Sequence, residues 1–257
     1  MKETMIIEIE KVKLKSPVLI EGLPGLGTVG KIVTDYLRRK MRAKKFAELY
    51  SPHFAYYVLV DKTGSIRLLR NEFYYWRNEG GENDIIILTG DSQAQTIEGQ
   101  YEIASHILDF AESMGVELII TVGGYRDKVK GEPKVIAAST NPSILERAMK
   151  AGADGSSSGN PIVGMAGLLL GLAKLRDMDA LCLLGETLGH IPDPKAAKSV
   201  LKVLMKLLGF EIDLSELEKE IARSEEIMEK VRELEAQRKL ALKKRRRLEE
   251  ERIIYIS

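Results

Sequence analysis

Apolar residues along this chain switch repeatedly between a spacing of two and a spacing of three or four. MIIEIEKV (5–12) alternates apolar and polar positions, which predicts a half-buried strand. PVLI (17–20), NDIIILTGD (83–91), VELIITVGGY (116–125), PKVIAAST (133–140) and DALCLLGE (179–186) are near-continuous apolar runs, the pattern of strands covered on both faces. FAYYVLVDKTGSIRLLRNEFYYWR (54–77), aromatic and β-branched around the turn DKTG, predicts an antiparallel hairpin or meander. KKFAELYSP (44–52) is a poor match to a buried parallel strand.

Between these runs the spacing turns helical. Helices are predicted from Lys31 to about Met41, over 96–115, 141–152, 165–178 and 193–209. Several ends carry their own punctuation. Gly115 closes one helix, and Asn141-Pro142 and Asp193-Pro194 each place a capping side chain ahead of a proline at the first helical position. The helix at 165–178 has Gly and Ala on one side, which predicts close packing on a neighbour. Strand and helix alternate, so the fold class is α/β. The architecture is a three-layer sandwich around a mostly parallel or mixed sheet, with an antiparallel hairpin.

From Asp213 the pattern changes. No Gly or Pro interrupts 213–252, and Leu214, Leu217, Ile221, Met228, Val231 and Leu234 recur at three- and four-residue spacing, broken at Ser224. That predicts a long C-terminal helix with a narrow apolar stripe. The domain reading is an α/β core over 1–210 and a helical arm over 211–257 ending in the apolar tail ERIIYIS. An apolar terminus after a charged helix calls for a surface to dock on.

Composition adds limits. The 257 residues carry a net charge of +1, so bulk charge argues for neither nucleic acid nor membrane. Residues 237–252 alone are +5, leaving −4 for the rest, so any electrostatic contact with an acidic partner belongs to the arm. The N-terminus reads as a strand rather than a signal peptide, and the longest apolar run (162–173) is too short to span a bilayer. The single cysteine, Cys182, rules out a disulfide framework and fits a reducing cytoplasm. Scarce Asn, Gln and Cys beside abundant Glu, Lys and Arg is a hyperthermophile pattern.

The one stretch that invites nucleotide chemistry is EGLPGLGTVGK (21–31). Gly25, Gly27 and Gly30 satisfy G-x-G-x-x-G between a strand and a helix. With Lys31 they also satisfy most of the phosphate-loop pattern, but Ile32 stands where a hydroxyl should meet magnesium. A dinucleotide site further needs an acid about 20 residues on, and Glu48 is the candidate. The alternative is a tight turn in which glycines let a helix pack closely on a sheet. Elsewhere the chemistry is thin. His53, His106 and His190 lack metal-ligand spacing. GSSSG (155–159) has neither the strand before it nor the helix after it that a nucleophile elbow needs. Asp91 and Arg126 stand at strand ends and read first as a surface ion pair.

GLPGLGTVGK, NPSILERAMKAG and LLGETLGHIPDPKAAKSVLKVLMKLLGFEIDLSELE, in this order over roughly residues 15–220, resemble the proteasome assembly chaperone family in its archaeal form. The motif residues are Gly22, Pro24, Gly25, Gly27 and Gly30 near the start and Gly185, Glu186, Thr187, Asp193 and Pro194 further on. The resemblance implies a structural glycine turn, no enzymatic activity, no cofactor and no metal. It further implies a homo-oligomer of four or five subunits that binds the α-subunits of the 20S proteasome in the cytoplasm. A second family member is a further candidate partner. Relatives of this kind carry tails ending hydrophobic–tyrosine–any residue, which insert between α-subunits. Here Ile254, Tyr255 and Ile256 have that chemistry, but Ser257 follows and leaves the tyrosine third from the end. The terminal carboxylate is thereby displaced by ~3.3 Å, more than a charge-assisted bond of ~2.8 Å tolerates. The alternative function is an ATP-grasp-like ligase holding ATP and magnesium at the Gly25–Lys31 loop, with Asp91, Glu186 and Asp193 the only loop-edge acids.

Overall fold

The structure, a computed structural model, describes residues 1–127, 129, 131–157, 159–227 and 230. The chain divides into two compact units, Met1–Asp213 and Leu214–Ser257.

Among the described residues the first unit contains eleven strands and five α-helices. The strands are β1 (Met5–Glu8), β2 (Val18–Glu21), β3 (Lys44–Tyr50), β4 (Val58–Val60), β5 (Ile66–Leu68), β6 (Asn71–Trp76), β7 (Ile85–Gly90), β8 (Leu118–Arg126), β9 (Val135–Ser139), β10 (Asp154–Gly155) and β11 (Ala180–Thr187). The helices are α1 (Val29–Lys40), α2 (Ile97–Ser113), α3 (Pro142–Lys150), α4 (Met165–Leu175) and α5 (Pro194–Leu208). Nine strands form one mixed sheet in the order β1-β3-β6-β7-β2-β8-β11-β9-β10, and β4 and β5 form a separate ribbon. Strands β7, β2, β8 and β11 run parallel, as does the short β9–β10 pair. The β1-β3-β6-β7 flank and the β11–β9 pair are antiparallel.

The parallel strands are the ones buried on both faces, which is why their apolar runs are continuous. Leu19, Ile86, Leu88 and Ile119 pack under α2 and α4, against Ile103, Ile107 and Leu169. Their neighbours Ile20, Ile87 and Ile120 alternate to the other face, where α1, α5 and α3 form the third layer. Under α2, Phe110 stacks on Phe46 at 5.9 Å and meets Phe73 edge-on at 4.9 Å.

Two local readings are sharpened and one is corrected. KKFAELY is a full strand, β3, between antiparallel neighbours. Its Phe46, Ala47 and Leu49 are buried, while its polar side chains pair across the ladder, with Arg70 bridging Glu48 at 3.1 Å and Glu72 at 2.8 Å. A strand that spends its polar residues on cross-strand ion pairs does not show the apolar run of a parallel strand. On α4 both small residue types mark close approach: Thr121 donates to the Ala166 carbonyl at 3.1 Å and a Cβ on Gly167 would lie 2.1 Å from the Ile162 carbonyl oxygen, whereas Gly171 faces open space. Asp91 pairs with Arg67 rather than Arg126.

Cys182 is fully buried mid-strand in β11, and burial pushes its thiol up to about 12. Among the described residues no helix is long and apolar enough to cross a membrane. In the second unit the described residues form a helix over 215–227, and Glu226 pairs with Lys230 one turn on at 2.6 Å. The remainder of the predicted arm and the tail residues Ile254, Tyr255, Ile256 and Ser257 lie outside the described residues.

Candidate functional site

The glycine turn and the Gly185–Pro194 segment, far apart in sequence, meet at the carboxyl ends of the parallel strands. Strand β2 ends at Glu21, and the chain turns through Gly22–Thr28 into α1. Gly27 and Thr28 both take left-handed backbone, with φ of 57° and 47°. That conformation is open to glycine at no cost and unusual for threonine. The Gly27 N–H donates to the Gly189 carbonyl at 3.4 Å, and the Asp193 N–H donates to the Gly27 carbonyl at 2.8 Å. The Thr187 hydroxyl donates to Asp193 Oδ2 at 2.8 Å, while Asp193 Oδ1 accepts the Ala196 N–H at 2.9 Å and so caps α5. A Cβ on Gly27 would stand 2.6 Å from Thr187 Oγ1 and 3.3 Å from Asp193 Cβ.

Of the other motif glycines, Gly22, Gly30 and Gly185 are places of close approach, whereas a Cβ on Gly25 would meet nothing nearer than Gln93 Nε2 at 3.7 Å. A Cβ on Gly22 would lie 2.3 Å from the Gly30 carbonyl oxygen, and one on Gly30 would lie 2.4 Å from the Val122 oxygen. A Cβ on Gly185 would crowd Ala196 and Val200 of α5 at 3.1 Å each. Pro24 offers its carbonyl to Gln93 Nε2 at 2.7 Å, and Gln93 Oε1 accepts the Met165 N–H at 3.0 Å, so one amide ties the turn to the start of α4. Glu186 is buried and holds Lys134 twice, accepting its N–H at Oε2 (3.0 Å) and donating its own N–H to the Lys134 carbonyl (2.8 Å). Pro194 opens α5.

This arrangement does not fit a phosphate. The space over the turn is filled by Thr187 and by the Asp193 side chain, a carboxylate where an anion would sit. Lys31 points along its own helix to Asp35 at 3.1 Å. Glu48, the acid proposed for a ribose, sits in antiparallel β3 within the ion-pair ladder of Arg70. Gly155 ends two-residue β10, and among the described residues no helix begins before α4 at Met165, so the helix an elbow needs directly after GSSSG is not found. Among the described residues no group of three or more His, Cys, Asp or Glu is placed to hold a metal. A cleft of about 640 Å³ opens beside the turn, lined by Leu26, Tyr125, Lys134, Asp154 and Glu186. Burial first, and then the charges of Glu186, Asp127 and Asp154, push the Tyr125 phenol up to about 12, so it keeps its proton at neutral pH. The junction is a mechanical one: it locks the first βα turn of the sheet to the last strand and helix. Asp193→Ala removes both the cap and the Thr187 bond, and should lower stability by about 1–2 kcal/mol in a denaturant titration. An unchanged midpoint would deny the lock.

Two features escaped sequence reasoning. Glu21, the last residue of β2, is 1% exposed, and its Oε2 has no hydrogen-bond partner. Burial raises its carboxyl to about 8, against a smaller opposing effect of the Leu23 N–H. Its signal was an acid closing the run VLIE ahead of a glycine. The second is the outer face of the β4–β5 ribbon: the hairpin around DKTG was expected, but not that Val58, Val60, Ile66 and Leu68 would face outward.

Comparison with known proteins follows the same residues. A family model described as the PAC2 family matches residues 19–232. The crystal structure of Pyrococcus furiosus PbaB, described as an archaeal proteasome activator, superposes with a TM-score of 0.86 at 44% identity, covering 90% of this chain and 100% of that one. Pyrococcus furiosus PbaA, described as an archaeal homolog of proteasome-assembly chaperone, gives 0.74 at 28% identity, covering 96% and 97%. An uncharacterized protein of Methanocaldococcus jannaschii is 36% identical over 86% of this chain and 85% of its own length.

Proposed function

The chain belongs to the PAC2 family, and from that premise we propose that it is a non-enzymatic, proteasome-interacting protein of the cytoplasm, an activator or assembly-chaperone-like factor. The observation that carries the reading is the 44% identity to PbaB over the whole of that chain. The body supplies a rigid platform, and the C-terminal arm, ending in Ile254, Tyr255, Ile256 and Ser257, supplies the contact with the 20S α-subunits. One tail alone binds weakly. Several tails on a homo-oligomer of four or five subunits would gain roughly 10²–10⁴-fold in avidity where the ring geometry matches. The ligase alternative draws no support from the glycine turn, whose room is taken by Thr187 and Asp193.

The test is surface plasmon resonance against purified archaeal 20S proteasome without ATP, comparing the full chain with one lacking residues 254–257. Binding by the full chain that disappears on truncation, with the assembly mass unchanged, is the expected result. Equal binding by both sinks the tail reading.

A further inference from the structure

The β4–β5 ribbon is pinned to the body by one face only. In its register Val58 opposes Leu68, Leu59 opposes Arg67 and Val60 opposes Ile66. The middle pair points inward: Leu59 packs on the core under α2, and Arg67 binds both carboxylate oxygens of Asp91. The outer pairs point away. Val60 and Ile66 are 66% and 67% exposed, and Val58 and Leu68 are also exposed. Tyr56 and Tyr57, leading into the ribbon, are exposed too, Tyr56 completely. A hollow of about 500 Å³, lined by Phe54, Tyr56, Val58 and Leu68, continues the same surface. A two-stranded sheet is marginal alone in water, and among the described residues both edges of this one are unpaired. Nothing in the folding of a single chain accounts for its outer face being aliphatic.

We propose that this ribbon is a self-association surface, and that its occupant is the same ribbon of a second copy related by a two-fold axis, a pairing that an assembly of four subunits admits as two such dimers and one of five does not. The proposal rests on the multivalent reading above for its purpose, and on the ribbon for its location. Two observations select a second copy. The first is area. The six exposed side chains offer roughly 500 Å² of apolar surface. A two-fold pair therefore removes about 1,000 Å², the threshold for a specific interface. The second is charge. The outer face carries no charge at all, and the turn at its tip carries one of each sign, Asp61 and Lys62. Two copies therefore meet without like-charge repulsion, and an isologous contact can set each turn's lysine against the other's aspartate.

The experiment is light scattering on the full chain at micromolar concentration, beside an Ile66→Asp variant. The mass of the assembly is expected to fall by about half or more, because the carboxylate is forced into the centre of the apolar contact. Ile66 is exposed, so the fold should persist, and circular dichroism checks that it does. A second variant, Val60→Cys, reads proximity. The native thiol is buried, so the new one should give a disulfide-linked dimer on mild oxidation. An assembly mass unchanged by Ile66→Asp overturns the proposal, as does a wild-type protein that is monomeric. Dissociation on removing residues 254–257 also overturns it, since that would make the chain's own tail the occupant. Loss of proteasome binding in the truncated but fully assembled chain would leave it standing, so the two readings fail separately.

Discussion

Gly30→Ala should unfold at a markedly lower guanidinium concentration than the wild type, and Gly171→Ala at a slightly higher one. Both glycines lie inside helices, where alanine is intrinsically better by about 0.8–1 kcal/mol. They differ in what the new methyl group meets. At Gly171 it meets nothing within 4 Å, so the propensity gain is expressed. At Gly30 it meets the Val122 carbonyl oxygen at 2.4 Å, with Gly22 Cα and the Leu23 oxygen at 3.2 Å. All three are backbone atoms of the central strand and the glycine turn, so no side chain can swing aside. Overpacking of this kind costs typically 1–3 kcal/mol and more where the obstacle is rigid. We expect a net loss of about 2–3 kcal/mol for Gly30→Ala after the propensity gain. Equal midpoints for the two variants would contradict the view that the motif glycines set a packing distance.

The second large effect is a fall in stability as pH rises from 6 to 8.5, abolished by Glu21→Gln. Burial raises the Glu21 carboxyl from 4.5 to about 8 in the folded chain. Between those values the folded state holds a proton that the unfolded state has released, so stability decreases as pH increases. The contribution is fully present below about 4.5 and lost as pH passes about 8. Over pH 6 to 8.5 the loss is roughly 2–3 kcal/mol. The carboxylates held low by basic partners, such as Asp35 beside Arg38 and Lys31, act in the opposite sense and only at acid pH. They leave this window clear. A glutamine keeps the shape without the titration, so its denaturation midpoint should be flat across the same range. An identical slope in both proteins would mean that Glu21 opens to water before it ionises.

The elements legible in the sequence were those whose chemistry is local. Asn141 accepts the Ser143 N–H at 3.0 Å and Asp193 the Ala196 N–H at 2.9 Å, because an N-cap needs only its own next residues. The buried runs of β7 and β8 were legible for the same reason. What the sequence concealed depended on partners far along the chain. Strand β3 hides its character because Lys45 and Glu48 are satisfied by Arg70 and Glu72, more than twenty residues away. The motif around Gly27 reads as a nucleotide loop until Thr187 and Asp193 are seen to fill it. Sequence periodicity says that Val60 and Ile66 share a ribbon face, but not that the face points outward. That follows from Arg67 reaching Asp91.

Cys182 gives the chain an internal reporter of its own motions. It is the only thiol, it lies mid-strand in β11 between β8 and β9, and its high pKa suppresses the reactive thiolate in the closed state. An alkylating reagent can reach it only after β11 parts from a neighbour or α4 lifts away. The rate of labelling in excess reagent therefore measures how often the sheet opens at β11, a lifetime rather than an equilibrium.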